Sequence, residues 1–472
     1  MKSRIKKIME PKAGKIGVLI EKQEYIRHDE DRLSAGELTM IGVGGIIGAG
    51  FFLASGIAIK QAGPAVLINF LLGGIIMAQV FSALAEMSVA NPVEGSFRVY
   101  AEEALGRMAG FVSGWMYWIA GVLVMSSEVT ASAIFTSYWF PEVPLWIFTL
   151  IYSLLIIGVN SLGVKEFGII ESWFAGLKVG ALIVFIIVGM GILTGVIPPL
   201  GGVGFHNYIV HGGFFPFGLR GILEASMLVL ISFGGVVVAG MAASQTINPR
   251  VTVLKATRNI VLILLTLYIG SLLVLLAITP WNTLPKNASP FVVLFRYVNI
   301  PYAGSIMNFI ILTAALSTMN AAMYAVTRVL FSLGKGDYAP TFLIKTNNRG
   351  VAYVALAASS IGLALAVVLS YVLPDTVYQH VTSSAGFILF FNWILILLTH
   401  IYYRPILIKK YELKHKAWGY PYTSWAAVFA LIGILLSTVL SPVTRIGFLG
   451  GLTIIILLSV FYFFAKKSGY ID

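Results

Sequence analysis

The sequence contains no cysteine. Disulfides, thiolate metal sites and cysteine nucleophiles are therefore excluded together. Charge is scarce as well. Only 11% of the 472 residues are Asp, Glu, Lys or Arg, against roughly 25% in a soluble globular domain. Histidine is confined to His28, His206, His211, His380, His400 and His415. No two of these have the i, i+4 spacing of a helical zinc site and there is no HExxH, so no metal and no other cofactor is expected. No nucleophile–base cluster stands inside the apolar segments, which argues against an enzyme. The polar stretch before residue 33 lacks the apolar core of a cleaved signal peptide.

What the chain has instead is apolar mass: 58% hydrophobic residues and a mean hydropathy of +0.89. A chain of this composition cannot cover itself with polar surface in water and needs lipid as solvent. A spanning helix takes about 20 mostly apolar residues. Twelve segments qualify: 37–60, 64–88, 109–139, 144–164, 169–197, 219–244, 253–279, 302–334, 351–373, 376–404, 422–441 and 444–466. Gly63-Pro64, Asn91-Pro92, Pro144, Pro198-Pro199, Asn248-Pro249, Pro280, Pro301, Pro374, Pro421 and Pro442 fall at or near their ends.

The formal charge of +12 is a topology signal. With twelve spans both termini share one side. That side collects 26 Lys and Arg residues, the other only Lys60, Arg220, Lys286, Arg296 and Arg445, and Lys178 lies inside a span. The positive-inside rule makes the rich side cytoplasmic. The charge is thus no footprint of nucleic acid, and no nucleic-acid partner is expected.

Two spans carry glycine clusters. Span 1 has Gly42, Gly44, Gly45, Gly48 and Gly50, and span 6 has Ser232-Phe233-Gly234-Gly235. Each glycine costs about 1 kcal/mol in a helix interior, so both places invite unwinding. Interruptions at matching positions of two halves point to an inverted repeat of spans 1–5 and 6–10. A broken span 1 leaves backbone N–H groups for a carboxylate and carbonyls for an ammonium. Close packing through the Gly44/Gly48 GxxxG pair is the other reading of that cluster.

Three charged residues stand out in the spans. Lys178 in span 5 is either a functional buried charge or a side chain that snorkels to the interface. Glu128 in span 3 sits among Ser126, Ser127 and Thr130. It is either a proton-accessible carboxylate beside the pathway or a packing contact between helices. Glu86, near the end of span 2, reads as structural.

The order of motifs resembles a known family. GGIIGAGFF in span 1 is followed by Ala62-Gly63-Pro64, by ALAEMSVANPVEGSF at 83–97 and by GFVSGWMYW at 110–118. NSLGVKEFGIIESWFAGLKV at 160–179 and LTAALSTMNAAMYAVTRVLFSLGKGDYAP at 312–340 come later. Over about 32–404 the chain resembles amino acid permeases of the amino acid–polyamine–organocation superfamily, within it the bacterial amino acid transporter family. The resemblance implies a LeuT-like fold, commonly with proton-coupled uptake. It also implies roles. Backbone N–H groups around Ile47, Gly48, Ala49 and Gly50 look like the carboxylate site. Carbonyls of Ile46, Ile231 and Gly234, flanked by Ser232 and Gly235, look like the ammonium site. Phe233 matches an aromatic residue that covers substrate. Lys178 stands where sodium-driven cousins hold a sodium ion, with Ser317 as its hydroxyl neighbour. The chain departs from the family at three places: Ala49 replaces a frequent Ser or Thr, Val237 a frequent Glu, and Gln245 a second frequent acid.

The expectation is an all-α membrane protein with twelve transmembrane helices, a LeuT-like 5+5 inverted repeat with discontinuous helices 1 and 6. Residues 1–36 form a cytoplasmic tail, 37–197 and 219–404 the two repeats, 422–466 helices 11 and 12, and 467–472 a second tail. Its expected work is uptake of an amino acid, preferably neutral, by proton symport across the cell membrane, with lipid around it. An exchanger, facilitator or amine carrier of the same fold is the alternative, and a transporter-like nutrient sensor is a more distant one.

Overall fold

The computed structural model describes residues 33–91, 93, 96–162, 164–197, 203–235, 237, 246, 248–285, 288–297, 301–347, 349–374, 377–410, 416–440 and 442–467. Gln245, most of the N-terminal tail and residues 468–472 lie outside the described residues. The described chain is helical, apart from a single bridge between Leu33 and Thr246.

The first helix is fixed at its start by a capping box. Ser34 Oγ accepts from the Glu37 N–H, and the Glu37 carboxylate accepts from the Ser34 N–H. This helix, α1 (Ala35–Ile46), stops inside the bundle. Two short pieces continue the direction of the chain, α2 (Ala49–Phe52) and α3 (Ala54–Ala62). Gly63 then turns the chain at φ 64°, and a Cβ there would stand 2.3 Å from Pro216 Cγ. Only glycine meets both demands. The following helices are α4 (Val66–Ala90), α5 (Phe97–Leu105), α6 (Arg107–Ser137), α7 (Leu145–Asn160) and α8 (Val164–Leu193). After a loop come α9 (Gly218–Ile231), α10 (Pro249–Ile278), α11 (Pro290–Tyr297) and α12 (Ala303–Lys335). The chain ends in α13 (Tyr353–Ser359), α14 (Ile361–Val372), α15 (Val377–Lys410), α16 (Tyr422–Ser437) and α17 (Pro442–Lys467).

By length and composition eight stretches among the described residues can cross a membrane: Ala49–Ala90, Arg107–Ser137, Trp173–Leu193, Val251–Ile278, Ala303–Lys335, Tyr353–Val372, Val377–Lys410 and Thr444–Lys467. The others of the twelve expected segments differ for physical reasons. Span 1 is broken after Ile46, and the described helix of span 6 ends at Ile231. Those of spans 4 and 11 have only 16 residues each. Two further differences concern boundaries. Span 10 was expected to end at 404, but α15 runs through Pro405 to Lys410; proline removes one N–H there without ending the helix. The segment between spans 2 and 3 carries a helix of its own, α5.

The polarity of the bundle is inverted relative to a water-soluble protein. Large apolar side chains are exposed on α7, α8, α14 and α17, among them Leu154, Ile187, Val368, Phe463 and Phe464. Buried inside are Glu86, Glu128, Lys178, Asn392 and His400. Apolar surface turned outward is free of cost where the solvent is lipid. α6 packs chiefly on α12 and α15, and α1 on α8 and α10, so the long α6 and α12 frame the interrupted helices.

One end of the bundle is tied shut. Arg98 on α5 pairs with Glu102 at 3.1 Å, donates to Ser332 Oγ at 3.3 Å and lies over the Tyr338 ring at 5.4 Å. Tyr100 donates to the Asn91 carbonyl at 2.6 Å. Burial pushes its phenol up to about 12, so it remains a neutral donor. Glu86 holds α15 and the chain beyond it. It accepts from Arg404 Nε at 2.7 Å and from the Ala417 N–H at 2.7 Å, with His400 Nε2 at 3.2 Å. This matches the structural role expected of Glu86. Replacing it by alanine leaves Arg404 and a buried N–H without their acceptor, which costs about 3–5 kcal/mol. Glu86→Ala is expected to lower the apparent melting temperature of the purified protein by several degrees at least; an unchanged melt removes the network from the account.

Candidate functional site

α1 is not broken by a single residue but by a run of glycines that gives it little reason to continue. Ile47 and Gly48 are both extended, at φ −76°, ψ 102° and φ −143°, ψ −158°. The interruption opens backbone groups in the middle of the bundle, where no water is at hand to satisfy them. Five of these groups are met by side chains from elsewhere in the bundle. Lys178 Nζ on α8 donates to the Gly44 carbonyl. Thr318 Oγ1 on α12 donates to the Ile47 carbonyl at 3.0 Å. Tyr378 on α15 donates to the Ala49 carbonyl at 3.2 Å, and Ser232 to the Gly50 carbonyl at 2.6 Å. The Ala49 N–H donates to Glu128 Oε2 on α6 at 3.0 Å.

The second interruption follows α9. Residues 232–235 form a turn in which the N–H of Ser232, Phe233 and Gly234 reach back to Val229, Leu230 and Ile231. Tyr268 on α10 donates to the Ser232 carbonyl at 2.9 Å. Gly235 lies directly against α1: a Cβ there would stand 2.1 Å from the Gly45 carbonyl oxygen. The two interruptions are thus in contact, backbone against backbone.

Between them lies a cavity of about 50 Å³. One wall is backbone from Gly45, Ile46, Gly50, Ile231, Gly234 and Gly235. Polar side chains enter at Glu128, Ser127, Thr318 and Thr382, and the rest of the lining includes Tyr117, Val124, Val326 and Leu389. The carbonyl end of α1 carries the negative end of a helix dipole. A second cavity of about 350 Å³ lies beyond, lined by Leu53, Ile57, Ile134, Pro144 and Tyr378 among others. It sits at the end of the bundle opposite the α5 strap.

The structure brings together most of the residues singled out from sequence. Ile46, Gly50, Ile231, Gly234, Gly235 and Glu128 border the cavity, and Ile47, Gly48, Ala49 and Ser232 form the interruptions themselves. Lys178 is fully buried and bonded to α1 rather than stretched to an interface. Ser317 is fully buried too. The neighbouring Thr318 also puts a hydroxyl beside Lys178, 3.4 Å from Nζ. Phe233 is not among the residues bordering the cavity. Its ring packs against Tyr268 and Phe70, with centroids at 5.2 and 6.1 Å. Val237 is fully buried. Sequence reading missed Thr318, Tyr378 and the Ser127–Thr382 hydroxyl pair, 2.6 Å apart. Thr318 is next to Ser317, and Tyr378 resembles an interfacial aromatic, so no local signal separated them from their neighbours.

The contact between the interruptions yields a test. In Gly235→Ala the added methyl would collide with backbone, which has no rotamer to yield. The variant is expected to lower the apparent melting temperature by several degrees. Gly433→Ala, where a Cβ meets nothing within 4 Å, is expected to leave it unchanged or slightly raised. Equal melts for the two variants would mean that the interruptions do not need this close approach.

Residues 37–468 match the amino acid permease family. Among curated proteins, the chain is 37% identical over 439 residues to a gamma-aminobutyric acid permease of Bacillus subtilis, covering 92% of this chain and 94% of that one. It is 36% identical to an L-asparagine permease of Salmonella typhimurium, over 84% of this chain and 81% of the other. It is 32% identical to an aromatic amino acid transport protein of Escherichia coli, over 95% and 98%. Among solved structures, a manganese transporter of Eremococcus coleocola superposes with a TM-score of 0.57 at 12% identity, over 92% of this chain and 94% of that one; the fold is shared. This chain is a multi-pass integral membrane protein and belongs to the amino acid permease family, whose members are transporters of amino acids and not enzymes.

Proposed function

We propose that the protein takes up a neutral amino acid by proton symport with alternating access. The observation that carries this reading is the cavity between the two interruptions. It presents backbone of both interruptions on one wall and mostly apolar side chains on the other. A zwitterion needs the first, and an uncharged side chain the second. The ammonium is assigned to the carbonyls of Ile46, Ile231 and Gly234, and the carboxylate to the N–H groups around Gly48, Ala49 and Gly50. Where relatives often have an acid, Val237 is buried and apolar, which favours a neutral over a cationic side chain. The relatives named above carry gamma-aminobutyric acid, asparagine and aromatic amino acids by their names, and none of these has a cationic side chain.

The same reading takes the fold as twelve spans in a LeuT-like 5+5 inverted repeat, with the tails on the cytoplasmic side. The Lys/Arg distribution supports that orientation. It makes the α5 end cytoplasmic and the 350 Å³ cavity an outer vestibule. Lys178 is assigned to proton coupling, supported by its burial and its bonds to Gly44 and Thr318. Charged, it ties α8 and α12 to α1; neutral, it loosens that tie and favours the other conformation. Proton and substrate binding then help one another through a reciprocal coupling.

Two measurements test this. In a thermal-shift screen of the purified protein against the common amino acids, a ligand that binds only the folded state raises stability. Neutral amino acids are expected to stabilise, and arginine and lysine are not; selective stabilisation by either of those two overturns the neutral preference. In proteoliposomes with an inward pH gradient, Lys178→Ala and Lys178→Arg are both expected to lose gradient-driven accumulation. Guanidinium cannot release its proton in this range. Continued accumulation by Lys178→Ala assigns coupling elsewhere.

A further inference from the structure

The carboxylate site just assigned is in contact with a carboxylate that belongs to the protein. Glu128 Oε2 accepts from the Ala49 N–H at 3.0 Å. The Gly50 N–H also interacts with this side chain. The other oxygen, Oε1, sits over Gly48, 2.7 Å from where a Cβ would stand. These are the same three residues assigned to the substrate's carboxylate. Glu128 reaches them from α6 with a side chain that is 5% exposed and borders the cavity. Its position is not a local cap but a contact built across 79 residues of sequence.

Two carboxylates cannot share this place. Each N–H serves one strong bond, and like charges at about 3 Å cannot both stay ionised. We propose that Glu128 is a tethered stand-in for the substrate's carboxylate: it holds the α1–α2 break until an amino acid displaces it, and it leaves by taking up a proton. The proposal rests on the assignment of the substrate's carboxylate to this break.

The step balances. One proton converts the Glu128 carboxylate to a carboxylic acid, and the amino acid brings one carboxylate in its place. At the N–H groups of the break one carboxylate replaces another, and with the substrate's ammonium counted the site as a whole gains one positive charge, that of the proton. Lys178 on α8 stays bonded to Gly44 and Thr318. The other titratable groups facing Glu128 are the hydroxyls of Tyr268 on α10 and Tyr378 on α15. Neither supplies an acid or a base at physiological pH. As an acid, Glu128 becomes a hydrogen-bond donor, and the Ser127–Thr382 hydroxyl pair in the same cavity wall offers acceptors. Competition for a single seat couples the binding step to one proton at Glu128, in addition to the proton that Lys178 exchanges when the conformation changes.

The sign of one change in affinity decides the matter. Glutamine at 128 keeps the shape but lacks the charge, and a neutral acceptor competes for N–H groups less strongly than a charged one. The probe is an equimolar mixture of the common L-amino acids, added to purified full-length protein in lipid nanodiscs. The half-saturating concentration of the thermal shift is read at mildly acidic and mildly alkaline pH, and proton uptake is followed with a pH indicator in weak buffer. In the wild type the half-saturating concentration is expected to rise with pH, and binding to consume protons. In Glu128→Gln it is expected to be about tenfold lower at alkaline pH, less dependent on pH, and accompanied by less proton uptake. Weaker binding by Glu128→Gln at alkaline pH overturns the proposal and makes Glu128 a partner of the substrate's ammonium. Proton uptake by the variant as large as that of the wild type overturns it too. If Glu128→Gln fails to fold, Glu128→Asp takes its place. The shorter side chain loses its reach to Ala49, so tighter binding is again expected and weaker binding again overturns. No response of the wild type to the mixture at either pH is a different result: it removes the amino-acid seat itself, and the displacement with it.

Discussion

An open backbone in a place without water is the constraint on which this structure depends. The interruption of α1 exposes carbonyls and an N–H group at the centre of the bundle. In a lipid-solvated protein such groups must be satisfied internally, each unmet one costing several kcal/mol. α6, α8, α12 and α15 each send one side chain to the break, and Ser232 comes from the facing interruption. The helices that meet at the cavity are therefore the helices that complete the hydrogen bonding of α1. The proposed binding site and the structural keystone are the same set of atoms.

That arrangement explains the distribution of polarity. Few charges are available, and those inside the bundle are placed where a partner waits. Lys178 has a carbonyl, Glu128 an N–H group, and Glu86 an arginine and a backbone N–H. The apolar residues that a soluble protein would bury are turned outward on α7, α8, α14 and α17. The two ends of the bundle also differ. Side chains of α5, α12 and α15 cross-link one end, while the other holds the larger cavity, bounded by Tyr378. Tyr378 borders that cavity and also bonds the Ala49 carbonyl beside the inner one. The hydroxyl that stabilises the break thus stands between the two spaces.

Membership of the amino acid permease family does not erase what is particular to this chain. Val237 is packed out of reach of water. Ala49 brings no side-chain hydroxyl to the break. Thr318 puts a hydroxyl beside Lys178 and also caps the Ile47 carbonyl. Phe233 is held in an aromatic group with Phe70 and Tyr268, while Tyr268 itself bonds the Ser232 carbonyl. The turn after α9 is therefore anchored through both its ring and its backbone.

The sequence by itself determined that the chain lives in lipid, where its long helices run, and where two of them are weak. Apolar runs, proline and glycine act on their own few residues, so hydropathy marks the segments and glycine clusters mark the breaks. The six-residue extension of α15 past Arg404 and the existence of α5 were less legible, because tertiary contacts decide whether a marginal segment stays helical. The motif order carried the family, and with it the residues of the break. Which side chain answers which backbone group was decided only by tertiary structure. The partners of the α1 break lie 79, 134, 182, 271 and 329 residues away. No local pattern distinguishes Thr318 from Ser317, or turns Glu128 from a packing contact into the acceptor of the Ala49 N–H. Those assignments follow from the rotation and depth of each helix, which are set by how all of them pack around one interruption.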